Sequence, residues 1–165
     1  MKPEELPIVM DDFIVNSLAF NYIPYDDEVE IDEEITDVDT LDVDFDILPV
    51  NEDYNEILID LTVSMNFNQK NLLPGYSMII SAEGSFSHVD ETVEQQERIL
   101  YLTSIGLGMM FSQVRSYIYQ ISGYYPDGPL MLPVFDNMKL LQSKYEELLK
   151  SVEKTTKKKK AKKTK

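Results

Sequence analysis

Between Ile57 and Phe67 the chain is apolar at every second position. Ile57, Ile59, Leu61, Val63, Met65 and Phe67 share one parity, and Leu58, Asp60, Thr62, Ser64 and Asn66 the other. Only an extended strand, whose side chains alternate between two faces, gathers that spacing into one apolar surface. The preceding run does the same, with Leu41, Val43, Phe45 and Ile47 against Asp42, Asp44 and Asp46. Each run therefore predicts a strand with one face on a core and one in water, the mark of an antiparallel sheet. The turn-forming stretch LPVNEDYNE between them predicts a hairpin with a long loop. In YSMIISAEGSF, Tyr76, Met78, Ile80, Ala82 and Phe86 again share a parity. Earlier, FIVNSLAFNYI places Ile14, Leu18, Phe20 and Tyr22 together, interrupted by Asn16 and ended by Pro24.

The period changes after His88. Glu91, Glu94 and Glu97 suit the positive N-terminal end of a helix. Ile99, Leu102, Ile105 and Met109 follow the 3.6 period, as do Val114, Tyr117, Ile118 and Ile121, with Gly106 and Gly108 as an expected weak point. Gly123 is a natural terminator, and Pro126, Gly128, Pro129 and Pro133 bar further helix until Asp136 can cap a second one. There Met138, Leu141, Tyr145, Leu148 and Val152 form a narrow apolar stripe. Strands followed by helices, without alternation, predict an α+β domain with its helices on one face of the sheet. The first helix is apolar over more of its circumference than one sheet face needs, so part of it is expected to meet another subunit.

Composition narrows the chemistry. At 165 residues the chain fits one folding unit with tails. The absence of cysteine excludes disulfides and thiolate metal sites and agrees with a reducing compartment. MKPEELPIVMDDF has acids and prolines where a signal peptide needs a basic and then an apolar segment, which predicts a soluble, cytoplasmic protein. The net charge of −15 is uneven, because Lys2 is the sole base of the first 56 residues whereas the end reads KTTKKKKAKKTK. An acidic body repels nucleic acid, so only the lysine tail is expected to touch it, weakly. That tail otherwise solubilises the chain or neutralises its acids.

No catalytic constellation is legible. His88 stands at a strand end beside Ser87 and near Asp90, but adjacent strand positions point to opposite faces, and no G-x-S-x-G is present. It is expected to be an ordinary surface residue. DVDTLDVDFD lacks the glycine and final Glu of an EF-hand loop and is better explained as one wet strand face. Neither a metal nor a cofactor is expected, and no enzyme activity.

The order of motifs from Tyr76 to Leu141 adds a resemblance. A strand closing on Gly84 and Phe86, a helix with Phe111 and Arg115 in F-x-x-x-R spacing, and a Gly/Pro crossover into Leu132, Pro133, Val134 and Phe135 resemble the SecB family of export chaperones. The likeness covers about half of the chain, from Ile57 to Leu141, and its motifs are specific by their order rather than singly. It implies a SecB-like α+β fold, a four-stranded antiparallel sheet with a long helix and a C-terminal helix on one face. It divides the chain into an extension over 1–11, a chaperone domain over 12–153 and a lysine tail over 154–165. It further implies a homotetramer, a dimer of dimers joined through the long helix at Phe111, Val114, Ile118 and Ile121.

The family holds unfolded polypeptides in apolar grooves beneath the crossover, for which adaptable Met and aromatic contacts are suited. The implied groove residues are Met109, Met110, Tyr124, Tyr125, Leu130 and Met131, with Phe13, Leu18, Phe20 and Tyr22 from the first strand. The implied role is to keep clients competent for export. In such chaperones acids on the outer sheet face dock the SecA motor, but the aligned positions here are Ser17, Asn21 and Ile79. Either the acids of residues 26–46 replace that contact or clients are not delivered to SecA. The alternative function is a noncatalytic adaptor or specialised chaperone with one dedicated partner, such as an antitoxin.

Overall fold

Each alternating run becomes a strand of one sheet. The computed structural model describes residues 7–24, 41–66, 75–89 and 92–146. Within them lie β1 (Ile8–Ile23), β2 (Leu41–Pro49), β3 (Glu56–Met65), β4 (Gly75–His88) and α1 (Gln95–Ser122). The strands pair antiparallel in the order β1-β4-β3-β2. In β3 the odd residues Ile57, Ile59, Leu61, Val63 and Met65 are buried, as their alternation predicts. Asp42, Asp44 and Asp46 of β2 are exposed, so the acid run is a wet strand face. Phe67, residues 26–40 and the tail over 154–165 lie outside the described residues.

The hairpin between β2 and β3 is closed by its own backbone. Val50 N donates to Glu56 O at 3.0 Å, and the Asn51 side chain accepts from Asn55 N at 3.0 Å. At the far end of β3, Asn66 turns into the left-handed region at φ 54, which a short polar side chain tolerates. Its amide donates to Tyr76 O at 3.0 Å and so ties β3 to the start of β4.

β1 departs from simple alternation. It opens at Ile8, inside the segment expected to be an extension, and two register shifts, between Met10 and Asp12 and between Val15 and Ser17, interrupt its pairing with β4. Each bulge inserts one residue and reverses which parity faces inward. Directly opposed residues share a face. Pairs Met10–Phe86, Phe13–Gly84, Val15–Ala82, Leu18–Ile80, Phe20–Met78 and Tyr22–Tyr76 therefore all belong to the inner face. Ile14, which parity groups with Leu18, instead opposes Glu83 on the outer face and is exposed.

α1 runs unbroken for 28 residues and lies across β1, β4 and β3. The expected weak point at Gly106 is a point of closest approach. A Cβ there would stand 3.0 Å from Ile59 Cδ1 and 3.3 Å from Phe86 Cγ. Reciprocally, Gly84 of the sheet leaves room for the Met110 side chain. Helix and sheet interlock through one glycine on each, and propensity gives way to packing. Leu102, Leu107, Met110, Val114 and Ile118 are wholly buried, each contributing about 1.5–3 kcal/mol.

Residues Pro133–Lys165 cluster as a second unit. There the Asp136 side chain accepts from Lys139 N at 3.2 Å and its carbonyl from Leu140 N at 3.1 Å, which starts α2 (residues 137–146) as expected of a capping residue. Of the expected stripe, Met138 and Tyr145 are exposed and Leu141 is half-buried, as is its neighbour Leu140. Leu148 and Val152 lie outside the described residues. A four-stranded antiparallel sheet and two helices thus place the chain in the α+β class that the sequence predicts.

Candidate functional site

Register brings three aromatic rings to one end of the inner sheet face. Phe20 and Tyr22 of β1 stand 5.5 and 5.3 Å from Tyr76 of β4, centroid to centroid. Tyr125, from the segment after α1, closes the group at 5.2 Å from Phe20, 5.5 Å from Tyr22 and 6.2 Å, edge on, from Tyr76. All six separations allowed by four rings need not be close for such a group to cohere, and these five fall within the range of favourable aromatic pairs. Phe20, Tyr22 and Tyr76 are half-buried and Tyr125 is exposed, so the cluster meets solvent.

The segment that carries Tyr125 is strapped down by side chains. The Tyr76 hydroxyl donates to Gly128 O. Ser122 Oγ accepts from Leu130 N at 2.7 Å, and Arg115 Nε donates to Leu132 O at 2.9 Å. Gly128 has φ 78 and open space around its Cα, so backbone conformation rather than crowding favours glycine there. Burial, then the nearby Asp127 carboxylate and Tyr125, hold the Tyr76 hydroxyl above its ordinary pKa and keep it a donor.

The ten expected groove residues separate into four groups. Phe20, Tyr22 and Tyr125 form the cluster, and Phe13 and Leu18 continue the same face along β1. Met131 lies instead in a shallow groove of about 440 Å³ between α1 and the strap, with Ser112, Arg115, Ser116, Tyr119 and Leu132. Tyr124 is 91% exposed, while Leu130 and Met109 are half-buried. Met110 is 0% exposed and belongs to the core beneath Gly84, so it is not a groove residue. Tyr76 was expected only as an inward strand residue. Its parity with Met78 carried it to this face, but the cluster depends on register across two bulges.

The expected subunit contacts also change. Val114 and Ile118 are 0% exposed and Phe111 4%, all covered within the chain itself, so they have no surface left for a partner. The amphipathic period located the apolar stripe and left open what covers it. Ile121 is half-buried. The outward face of α1 is a different set, with Leu100, Tyr101 and Tyr119 exposed and Ser104, Gly108, Ser112 and Ser116 at intervals of four between them.

On the outer sheet face Ser17, Asn21 and Ile79 come together through their pairing with Ser81, Ser77 and Ala19. Acids gather beside them, for Asp46 opposes Asp60 and Asp60 opposes Glu83 in a row across three strands. That row includes β3 and β4 acids that a reading centred on residues 26–46 passes over.

Two polar residues prove structural. Arg98, buried in the first turn of α1, donates to Asn55 Oδ1, to Asp53 O at 3.3 Å and to Val93 O at 2.9 Å, fixing the helix to the β2–β3 loop. His88 is buried, contrary to expectation, and its backbone N–H donates to Asn55 O at 2.9 Å. Among the described residues no group of three His, Cys, Asp or Glu could hold a metal ion, and no helix is long and apolar enough to cross a membrane.

Comparison with protein-family models and with curated proteins gives no match. Among solved structures, the chain is similar to a SecB-like chaperone of Mycobacterium tuberculosis in complex with a ChAD peptide from the HigA1 antitoxin, at 14% identity over 79% of this chain and 91% of that one, with a TM-score of 0.48. It is also similar to a protein of unknown function from Streptococcus agalactiae, at 13% identity over 79% of this chain and 99% of that one, with a TM-score of 0.40.

Proposed function

We propose that this protein is a molecular chaperone of the holdase type, which captures extended, nonnative polypeptide at the aromatic cluster. The observation that carries this is the gathering of Phe20, Tyr22, Tyr76 and Tyr125 at a solvent-accessible sheet end under a tethered strap. Rings offer large contact area at low entropic cost and accept many apolar side chains without demanding a sequence. Phe13 and Leu18 extend the surface along β1, as a strand-like client requires. Keeping clients unfolded for export in the cytoplasm is the use proposed for that capture. Subunits associate through the outward face of α1, where Tyr101 and Tyr119 flank the small residues, and a tetramer is the proposed assembly.

The test is suppression of aggregation for several unrelated denatured proteins at stoichiometric chaperone, with Phe20→Ala and Tyr22→Ala alongside. Wild type should keep each client soluble, and both variants should lose most of that effect while remaining folded. Failure of the wild type on every client would refute the proposal, and success on one client alone would make it a dedicated adaptor.

A further inference from the structure

The aromatic cluster has three walls of one origin and a fourth of another. Phe20, Tyr22 and Tyr76 stand on paired strands and are fixed by the Phe20–Met78 and Tyr22–Tyr76 register. Tyr125 is delivered by a short turn, whose two backbone bonds are local: Tyr125 N to Ser122 O and Gly128 N to Tyr125 O, both 3.0 Å. Gly123 and Gly128 bracket that turn, and Tyr124, Pro126 and Asp127 within it are exposed. Beyond it the strap is anchored to α1 at Leu130 and Leu132. One ring is thus inserted among three others by the least anchored part of the strap.

We propose that Tyr125 is an internal plug, an autoinhibitory contact that fills the place a client's aromatic side chain takes. It meets all three sheet rings at 5.2–6.2 Å, as an incoming ring would. Client entry swings residues 124–127 outward between the two glycines, while the bonds at Leu130 and Leu132 keep the strap attached. Tyr76 acts both as a wall and, through Gly128 O, as the fastening at the pivot. The inference rests on the cluster being the capture site, and it adds that the resting site is occupied.

The chain contains no tryptophan, so a Tyr125→Trp variant places a single indole at the plug. The probe is a synthetic Gly/Ser peptide carrying phenylalanines, with a phenylalanine-free peptide as blank, and affinity is measured for wild type, Tyr125→Ala, Tyr125→Phe and Phe20→Ala. Tyr125→Ala should bind about two- to tenfold more tightly than wild type, the scale of one or two released ring contacts. Tyr125→Phe should match wild type, Phe20→Ala should bind more weakly, and the indole emission of Tyr125→Trp should move to the red as peptide is added. Tighter binding by Tyr125→Ala supports the plug even where wild type binds below detection. Weaker or unchanged binding by Tyr125→Ala beside a weakened Phe20→Ala overturns the plug and leaves the capture site standing. No dependence on either residue removes the capture site and the plug with it.

Discussion

Ile118 and Tyr119 are neighbours on α1 with opposite surroundings, and exchanging each for alanine separates core from interface. Ile118 is 0% exposed within the chain, whereas Tyr119 is 47% exposed on the outward face. Ile118→Ala removes three carbons, worth roughly 2.5 kcal/mol in transfer energy at about 0.8 kcal/mol each. The cavity left among close-packed neighbours adds to that, for a total of about 4 kcal/mol, within the usual 2–5 kcal/mol for such a change. Against a domain stability of about 5–15 kcal/mol this is a large fraction, so the urea midpoint should fall steeply with little change in slope. Tyr119→Ala should leave the monomer's unfolding within about 0.5 kcal/mol of wild type and instead lower the mass seen by light scattering. Circular dichroism in urea and scattering in buffer read the two effects apart. An Ile118→Ala protein that keeps its midpoint but loses mass would refute the assignment of this helix face to the core.

Gly106→Ala gains up to about 1 kcal/mol of helix propensity but forces a methyl against the buried Phe86 ring, at about 1–3 kcal/mol, so a net loss near 1 kcal/mol should appear in the same urea assay. Asp60→Asn relieves like-charge opposition with Asp46 and Glu83 and should stabilise by several tenths of a kcal/mol at low salt, the gain shrinking at about 1 M salt. Tyr76 has its pKa raised above 10, so the protonated hydroxyl is favoured by folding. Its contribution is complete below pH about 10 and is lost as pH rises through the folded value, and Tyr76→Phe should remove that alkaline dependence of the urea midpoint.

The fold was legible where local pattern and tertiary demand coincide. β2 and β3 alternate without interruption, so each inner residue can be named from the sequence. β1 could not be read that way, because Asn16 and the two Asp residues at 11 and 12 sit at bulges, and each bulge shifts parity without a marker such as glycine. Parity alone misplaces Ile14 for that reason, but not Phe20 and Tyr22, beyond the second bulge. Gly106 misled in another way, since helix propensity sees a flexible residue and only the facing Ile59 and Phe86 explain its absence of side chain.

At the site, type was easier to read than place. Tyr125 stands out in a Gly/Pro-rich crossover, but its ring partners Phe20, Tyr22 and Tyr76 sit on strands far back along the chain, and the Tyr76 bond to Gly128 alone spans a separation of 52. Periodicity assigns Met110 and Met109 to one apolar helix without saying which enters the core. Their separation depends on the hollow at Gly84, which only the assembled sheet supplies.

The central claim, capture of nonnative chains at the aromatic cluster, is tested most directly by aromatic-ring NMR during titration with a urea-unfolded protein diluted into buffer. The account predicts that signals of Phe20, Tyr22, Tyr76 and Tyr125 shift together, while that of Tyr54, in the β2–β3 loop, stays in place. Shifts confined to other residues, or none at all at a client excess, would contradict it.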